Sequence, residues 1–327
     1  MSLPSSDVGS ASSDVDVSSA SSVVPTPRRV LVTGAAGLVG RVVARAFADR
    51  GAAVTALVLE DPGDLAEVGA DRVVVGDARD VDLVREALAG VDAVVHLAAL
   101  PTPRHGTAQE VFGGNTGATF NVLEEAGNQG VRRAVVASSL SILGLPWAGR
   151  TLHPLYVPID EDAPLQIEDP YALSKQVDEA TAQMMARRHG MDVVALRFPF
   201  VSNAERAADR LPWFAADPAA GAAELWTYLD VRDAAEAAWL AMTVPLHGFH
   251  KVFVAAPDTL APYPTADLLR AYHPDVEVRA PMPGRTAPLD VRAAQRLLGF
   301  QARHLVEVEP LPWPAERVES RPAPTGS

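Results

Sequence analysis

Between Arg29 and Arg197 the chain alternates short, unbroken apolar runs with stretches of helical period. Arg29–Thr33, Val54–Leu59, Arg72–Val75, Ala93–Leu97, Arg133–Ala137 and Asp192–Arg197 read as strands. Strands with one wet face alternate apolar and polar residues, whereas continuous apolar runs belong to strands covered on both faces. Helical patterns at Gly37–Arg50, Asp80–Ala89, Gln109–Asn128 and Tyr171–His189 lie between them. Parallel strands need crossovers about as long as a helix, so this order specifies an α/β chain with a Rossmann-like, doubly wound parallel sheet.

After Phe200 the rhythm loosens. A short strand is expected at Leu225–Leu229, a helix at Val231–Met242, a strand at Lys251–Val254, and short helices at Thr265–Ala271 and Asp290–Leu298. The organisation that follows is a sheet core over 28–200 and a mixed segment over 201–309. The mixed segment completes the sheet and forms a small C-terminal substrate-binding cap over its carboxyl edge, where open α/β sheets bind ligands. Residues 1–27, rich in Ser, Val, Asp and Ala, read as a disordered tail, and 310–327, where Pro alternates with charge, as a flexible one.

The net charge of −13, with no basic stripe, argues against a nucleic-acid partner and against anionic membranes. No apolar run approaches the length of a membrane span and no basic-then-apolar leader opens the chain, so a cytoplasmic protein is expected. There are no cysteines, which removes thiolate nucleophiles and thiolate metal sites, and no metal site is expected. Of the 28 basic residues only Lys175 and Lys251 are lysine.

The first apolar run leads directly into Gly34-Ala35-Ala36-Gly37-Leu38-Val39-Gly40 and then into a helix. Gly34 permits a tight turn off the strand, Gly37 lets backbone approach a pyrophosphate, and Gly40 lets helix and sheet pack closely. The helix start, from Leu38, offers unpaired N–H groups and a positive dipole end to phosphates. A strand before and a helix after make this a dinucleotide-binding turn.

Its G-x-x-G-x-x-G spacing, in the run VTGAAGLVG, resembles the extended branch of the short-chain dehydrogenase/reductase superfamily, the NAD-dependent epimerase/dehydratase family. The likeness extends over about Arg29 to His304. It implies that Asp77 bonds the adenine ring, that Ala98 in His96-Leu97-Ala98-Ala99 lines the cofactor, and that Pro199 in Leu196-Arg197-Phe198-Pro199 faces the nicotinamide amide. His96 itself is read as a packed histidine. The family's ribose-binding acid falls on Val58, followed by Leu59, and neither can read a ribose. Glu60 and Asp61 would repel a 2′-phosphate, which favours NAD while leaving NADP open.

Asp169-Pro170-Tyr171-Ala172-Leu173-Ser174-Lys175 carries Tyr-x-x-x-Lys, which places phenol and ammonium on one helix face. With so few lysines, a chance pairing at this spacing has a probability of about 3%. A free phenol titrates near 10, and a neighbouring cation favours its ionised form, so Tyr171 is suited to general acid–base work. Lys175 would also hold ribose hydroxyls of the cofactor. Ser138-Ser139-Leu140-Ser141-Ile142-Leu143-Gly144 is similar to the family's S-S-x-x-x-Y-G segment. Counting back from Gly144 puts the catalytic hydroxyl on Ser139, with Leu143 in place of the aromatic.

The departures bear on the substrate. Where nucleotide-sugar enzymes of the family use Asn and Arg to hold the diphosphate, this chain has Phe200 and Trp226. Where the sugar dehydratases carry an acid pair, it has Leu140 and Ser141. The expectation is an NAD(P)-dependent oxidoreductase moving a hydride between a nicotinamide and a hydroxyl or carbonyl carbon of a small polar, sugar-derived substrate. Arg206 or Arg210 is available for an anion. A nucleotide-sugar epimerase and a non-catalytic dinucleotide sensor are the alternatives. The resemblance also implies a homodimer through Gln109–Asn128 and Tyr171–His189, whose apolar residues include Met184 and Met185.

Overall fold

A computed structural model of the chain describes residues 26–314. The tail expectations for 1–25 and 315–327 lie outside the described residues. Seven parallel strands form one sheet: β1 (Arg29–Thr33), β2 (Ala53–Val58), β3 (Ala70–Val75), β4 (Ala93–His96), β5 (Arg133–Ser139), β7 (Asp192–Phe198) and β10 (Phe249–Phe253). Their spatial order is β3-β2-β1-β4-β5-β7-β10. The order reverses between β1 and β4, and such switch points open a crevice at the carboxyl ends of the strands.

The central strands β1, β4, β5 and β7 bury both faces. In β1, Val30 and Val32 face one core while Leu31 faces the other. The first core is closed by α1 (Leu38–Ala48), α6 (Val231–Thr243) and α8 (Arg292–Leu298), the second by α2 (Val81–Ala87), α3 (Ala108–Asn128) and α4 (Pro170–His189). The helix starts follow local chemistry. Thr107 and Glu110 form a capping box on α3, and Asp80 caps α2. Asp169 accepts the Tyr171 and Ala172 N–H groups at 2.9 Å, with Pro170 behind it as first helical residue. Helix α1 alone among these four begins on Gly37 with no side-chain cap.

The cap is a separate layer of side chains. Its pieces are β6 (Tyr156–Val157) paired with β11 (Glu277–Val278), β8 (Phe200–Ser202) paired with β9 (Tyr228–Asp230), α5 (Ala204–Ala216) and α7 (Thr265–Tyr272). One cap cluster joins Leu140, Leu143, Leu152 and Ile159 to Leu269, Met282 and Leu289, so the connection from β5 to α4 also contributes to this layer. One local expectation is corrected, and two features lie outside the sequence reading. The strand expected at Leu225–Leu229 is β9 at Tyr228–Asp230, because Leu225 and Trp226 turn the chain through the left-handed region (φ 55° and 54°). Helix α5 was not anticipated, since Pro212 inside it breaks the pattern. The end of the described chain is anchored: Leu311 N–H bonds the Pro262 carbonyl (2.7 Å) and the Trp313 ring packs edge-on against Tyr263 (5.3 Å between centroids).

Candidate active site

Register brings the expected residues to one edge. Thr33 pairs with His96, His96 with Val136, Val136 with Ala195, and Ser139 with Phe198. The residues that follow these strand ends, Gly34, Ala98 and Pro199, therefore emerge on the same side as Ser139.

The glycine turn fits a dinucleotide. Gly34 has φ +67°, and a Cβ there would stand 2.9 Å from the Ala98 nitrogen. A Cβ on Gly40 would lie 2.1 Å from the Gly34 carbonyl oxygen, inside any contact distance, so helix and turn can only meet as they do with glycine. Because no side chain caps α1, its first N–H groups, from Leu38 on, remain available to a phosphate. The turn is locked to β4 through Thr33. Its Oγ1 accepts from the N–H of Leu97 and of Ala98 (both 3.1 Å), which leaves its proton for His96 Nδ1 (2.8 Å). His96 is thus the neutral tautomer with Nε2–H toward Thr119 Oγ1 (3.1 Å), and burial pushes its pKa down to about 4. It is a packed histidine, as expected.

Tyr171 and Lys175 lie in the first turns of α4 on its buried face. Lys175 Nζ donates to the Ala137 carbonyl (3.0 Å), two residues before Ser139, and this bond fastens the Tyr–Lys face to the end of β5. The ammonium stands 5.9 Å from the Tyr171 ring centroid. Burial alone would lower the lysine pKa, but the Asp178 carboxylate, with Tyr171 and Glu179, outweighs it and holds Lys175 above the ordinary lysine range. Ser139 Oγ accepts the Ser141 N–H (3.1 Å), and among the described residues neither the Ser139 O–H nor the Tyr171 O–H donates to another group. The Lys175–Ala137 bond thus brings the start of α4 to the end of β5, the sheet edge from which Ser139 and Gly34 both emerge.

Other expected residues fare differently. Asp77 sits at the edge after β3, but both its oxygens already receive hydrogen bonds from Arg79 (2.5–2.8 Å), so an adenine would share it. Val58 is buried, while Glu60 and Asp61 are exposed. Arg210 is not available for an anion: it pairs with Glu224 (2.6 Å) and stacks on Phe200 (3.5 Å). Arg206 makes no ion pair among the described residues and lies exposed above the same ring (5.5 Å). Met185 is fully buried and Met184 packs on the core, so neither leads a surface patch; Phe120 and Leu173, 45% and 40% exposed, do.

Three groups escaped the sequence reading. Buried Asn115 clamps the Leu100 backbone through both amide atoms (2.8 and 3.1 Å) and donates to Ser174 Oγ (3.1 Å), tying the loop after β4 to α4. Glu179 takes Arg197 in a two-pronged pair (2.8 Å each) and the Ser138 O–H (2.6 Å), which gives Ser138 a structural part. Asp178 meets Lys175 Nζ at 3.0 Å. The available signal was helical spacing, since 178 and 179 lie three and four residues beyond Lys175.

Residues 30–256 match the NAD dependent epimerase/dehydratase family. The chain belongs to this family. It is by that membership an NAD-dependent enzyme of the extended short-chain dehydrogenase type, and its seven-stranded sheet has the Rossmann form. Among curated relatives, an L-arabinose 1-dehydrogenase (NAD(P)(+)) of Haloferax volcanii is 34% identical over 56% of this chain and 71% of its own length. A uronate dehydrogenase of Pseudomonas syringae pv. tomato is 31% identical over 52% and 58%. Among solved structures, a short-chain dehydrogenase/reductase superfamily protein from Agrobacterium tumefaciens with bound NAD aligns at TM-score 0.64 and 25% identity, covering 85% of this chain and 93% of that one. MoeE5 in complex with UDP-glucose and NAD aligns at TM-score 0.64 and 26% identity, covering 85% and 94%.

Proposed function

We propose that the protein is an NAD-dependent dehydrogenase of a small free sugar or sugar acid. The observation that supports this is the bond from Lys175 to the Ala137 carbonyl, which ties the Tyr171/Lys175 face of α4 to the strand end that carries Ser139, at the edge from which Gly34 also emerges. Gly34, Gly37, Leu38 and Gly40 would hold the pyrophosphate, Asp77 the adenine, Ala98 and Pro199 the nicotinamide end, and Tyr171 and Lys175 the adjoining ribose. NAD, when bound, supplies a two-electron acceptor. With its own proton already given up to solvent, Tyr171 Oη would take the proton of the substrate hydroxyl while the hydride on the same carbon would pass to the bound NAD, and the Ser139 O–H would donate to the oxygen as it becomes a carbonyl.

The size of the substrate follows from the cap. Trp226, at the position where a diphosphate-holding arginine was expected, is fully buried, and its Nε1–H bonds the Pro218 carbonyl (2.6 Å). Its ring packs edge-on against His273 (6.0 Å between centroids), and a Cβ on Gly221 would stand 2.4 Å from it. That place is solid and uncharged, which disfavours a sugar carrying a nucleoside diphosphate. Arg206, exposed on α5, is a cation available to a sugar acid.

A screen of L-arabinose, uronates and UDP-sugars with NAD, read as NADH absorbance, tests the substrate class; turnover of UDP-sugars alone would overturn it. Tyr171→Phe should cut turnover by roughly 10²–10⁴ while NADH still binds, read by its fluorescence. An unchanged rate would remove Tyr171 from its role. A second copy of the chain is proposed to cover α3 and α4, where Phe120 and Leu173 are exposed beside the bare backbone of Gly113 and Gly114. Light scattering should give a dimer that Phe120→Arg splits; a monomeric parent ends that reading.

A further inference from the structure

We propose that Asp178 is the positioning residue of Lys175, the counter-ion that fixes the ammonium against β5 and leaves one N–H for the ribose of the dinucleotide. This rests on the assignment of Lys175 to the site made above. Helical spacing puts 175 and 178 on one face of α4, and both side chains are sealed from water, at 4% and 0% exposure. An ammonium has three N–H groups. Ala137 O and Asp178 Oδ2 take two, each at 3.0 Å, so the direction of the third is set by the other two.

The neighbouring charges single out Asp178. On α4, Glu179 is consumed by Arg197 of β7 and by Ser138 of β5, and Tyr171 meets the ammonium only through its ring, at 5.9 Å. At the end of β4, His96 is neutral between Thr33 and Thr119. Asp178 therefore is the counter-ion in contact with Lys175. Its other oxygen, Oδ1, is buried and meets no hydrogen-bond partner. A half-satisfied buried carboxylate weakens a fold compared with an apolar residue of similar size, so packing alone does not account for it. Keeping the lysine charged does: burial is the largest single influence on Lys175 and acts to strip its proton, and Asp178 leads the groups that oppose this.

The chain holds only two lysines, so ¹³Cε-lysine labelling yields two signals, and loss of one in Lys175→Met assigns the other. In the parent, the Lys175 signal should stay in its charged position to about pH 10. A midpoint below about pH 9 in the parent overturns the proposal without any variant at residue 178. In Asp178→Asn, that midpoint should fall below about pH 9, and NADH affinity, read by fluorescence, should match the parent near pH 6 and drop roughly tenfold by pH 9. In the Lys175→Met background, Asp178→Asn should add no pH dependence. The same pH dependence there, or an Asp178→Asn profile parallel to the parent, assigns Asp178 a merely structural part. If Lys175→Met binds NADH as well as the parent, it is the role of Lys175 in the site that fails, while the lysine signal still reports on its pairing with Asp178.

Discussion

The sheet edge and the cap are specified by different means. At the edge, backbone constrains sequence. The 2.1 Å between a Gly40 Cβ and the Gly34 carbonyl cannot be relieved by any rotamer, and Thr33 ties the turn to the chain 64 and 65 residues on through main-chain N–H groups. In the cap, side chains constrain side chains: Trp226 against Gly221, Tyr272 and His273, and Arg210 between Glu224 and Phe200. A binding turn common to many substrates belongs to the first kind of region. On the function proposed above, the surface that selects among substrates would belong to the second.

Matched alanines in the two regions put this to the test. Gly40→Ala meets backbone and should destabilise by more than about 3 kcal/mol with loss of NADH binding. Gly221→Ala meets the Trp226 ring, should cost about 1–3 kcal/mol, and should leave NADH binding within about twofold. Urea denaturation and fluorescence titration give both numbers. Equal loss of NADH binding in the two variants would break the division.

A smaller effect comes from two buried histidines, one in each region. His273 in the cap donates Nε2–H to the Ala222 carbonyl (3.0 Å), so its Nδ1 accepts from His153 (2.9 Å), and burial lowers it to about 4, as for His96 in the core. Both are neutral in the fold, whereas an unfolded histidine titrates near 6.5. Between pH 6.5 and 4 the unfolded chain binds the extra protons, so stability falls as pH falls through that window. Each histidine should remove about 2 kcal/mol at pH 5. If core and cap unfold as one unit, His96→Asn and His273→Asn flatten the acid decline of the melting temperature equally. A separate early transition abolished by His273→Asn alone would show the cap melting on its own.

The same contrast governs what the sequence disclosed. The sheet, the glycine turn and Tyr171/Lys175 were legible because they depend on period and short spacing: an apolar run, three glycines, a residue four along a helix. The cap was less so. Pro212 hid α5, and two left-handed residues displaced a strand to Tyr228–Asp230. Nothing local announces that Arg210 is neutralised by Glu224, fourteen residues on, or that Trp226 is walled in by α7. Asp178 lay between these cases. Its spacing from Lys175 was visible, but Glu179 had an equal claim until Arg197 was seen to occupy it.

The strand order has a consequence for a chain emerging from its amino end. β2 and β3 build outward from one side of β1; β4 then returns to the other side, and β5, β7 and β10 each join the outermost ladder. No later strand has to be threaded between two earlier ones. The switch point lies where growth changes direction, so the glycine turn is framed before the cap has been made.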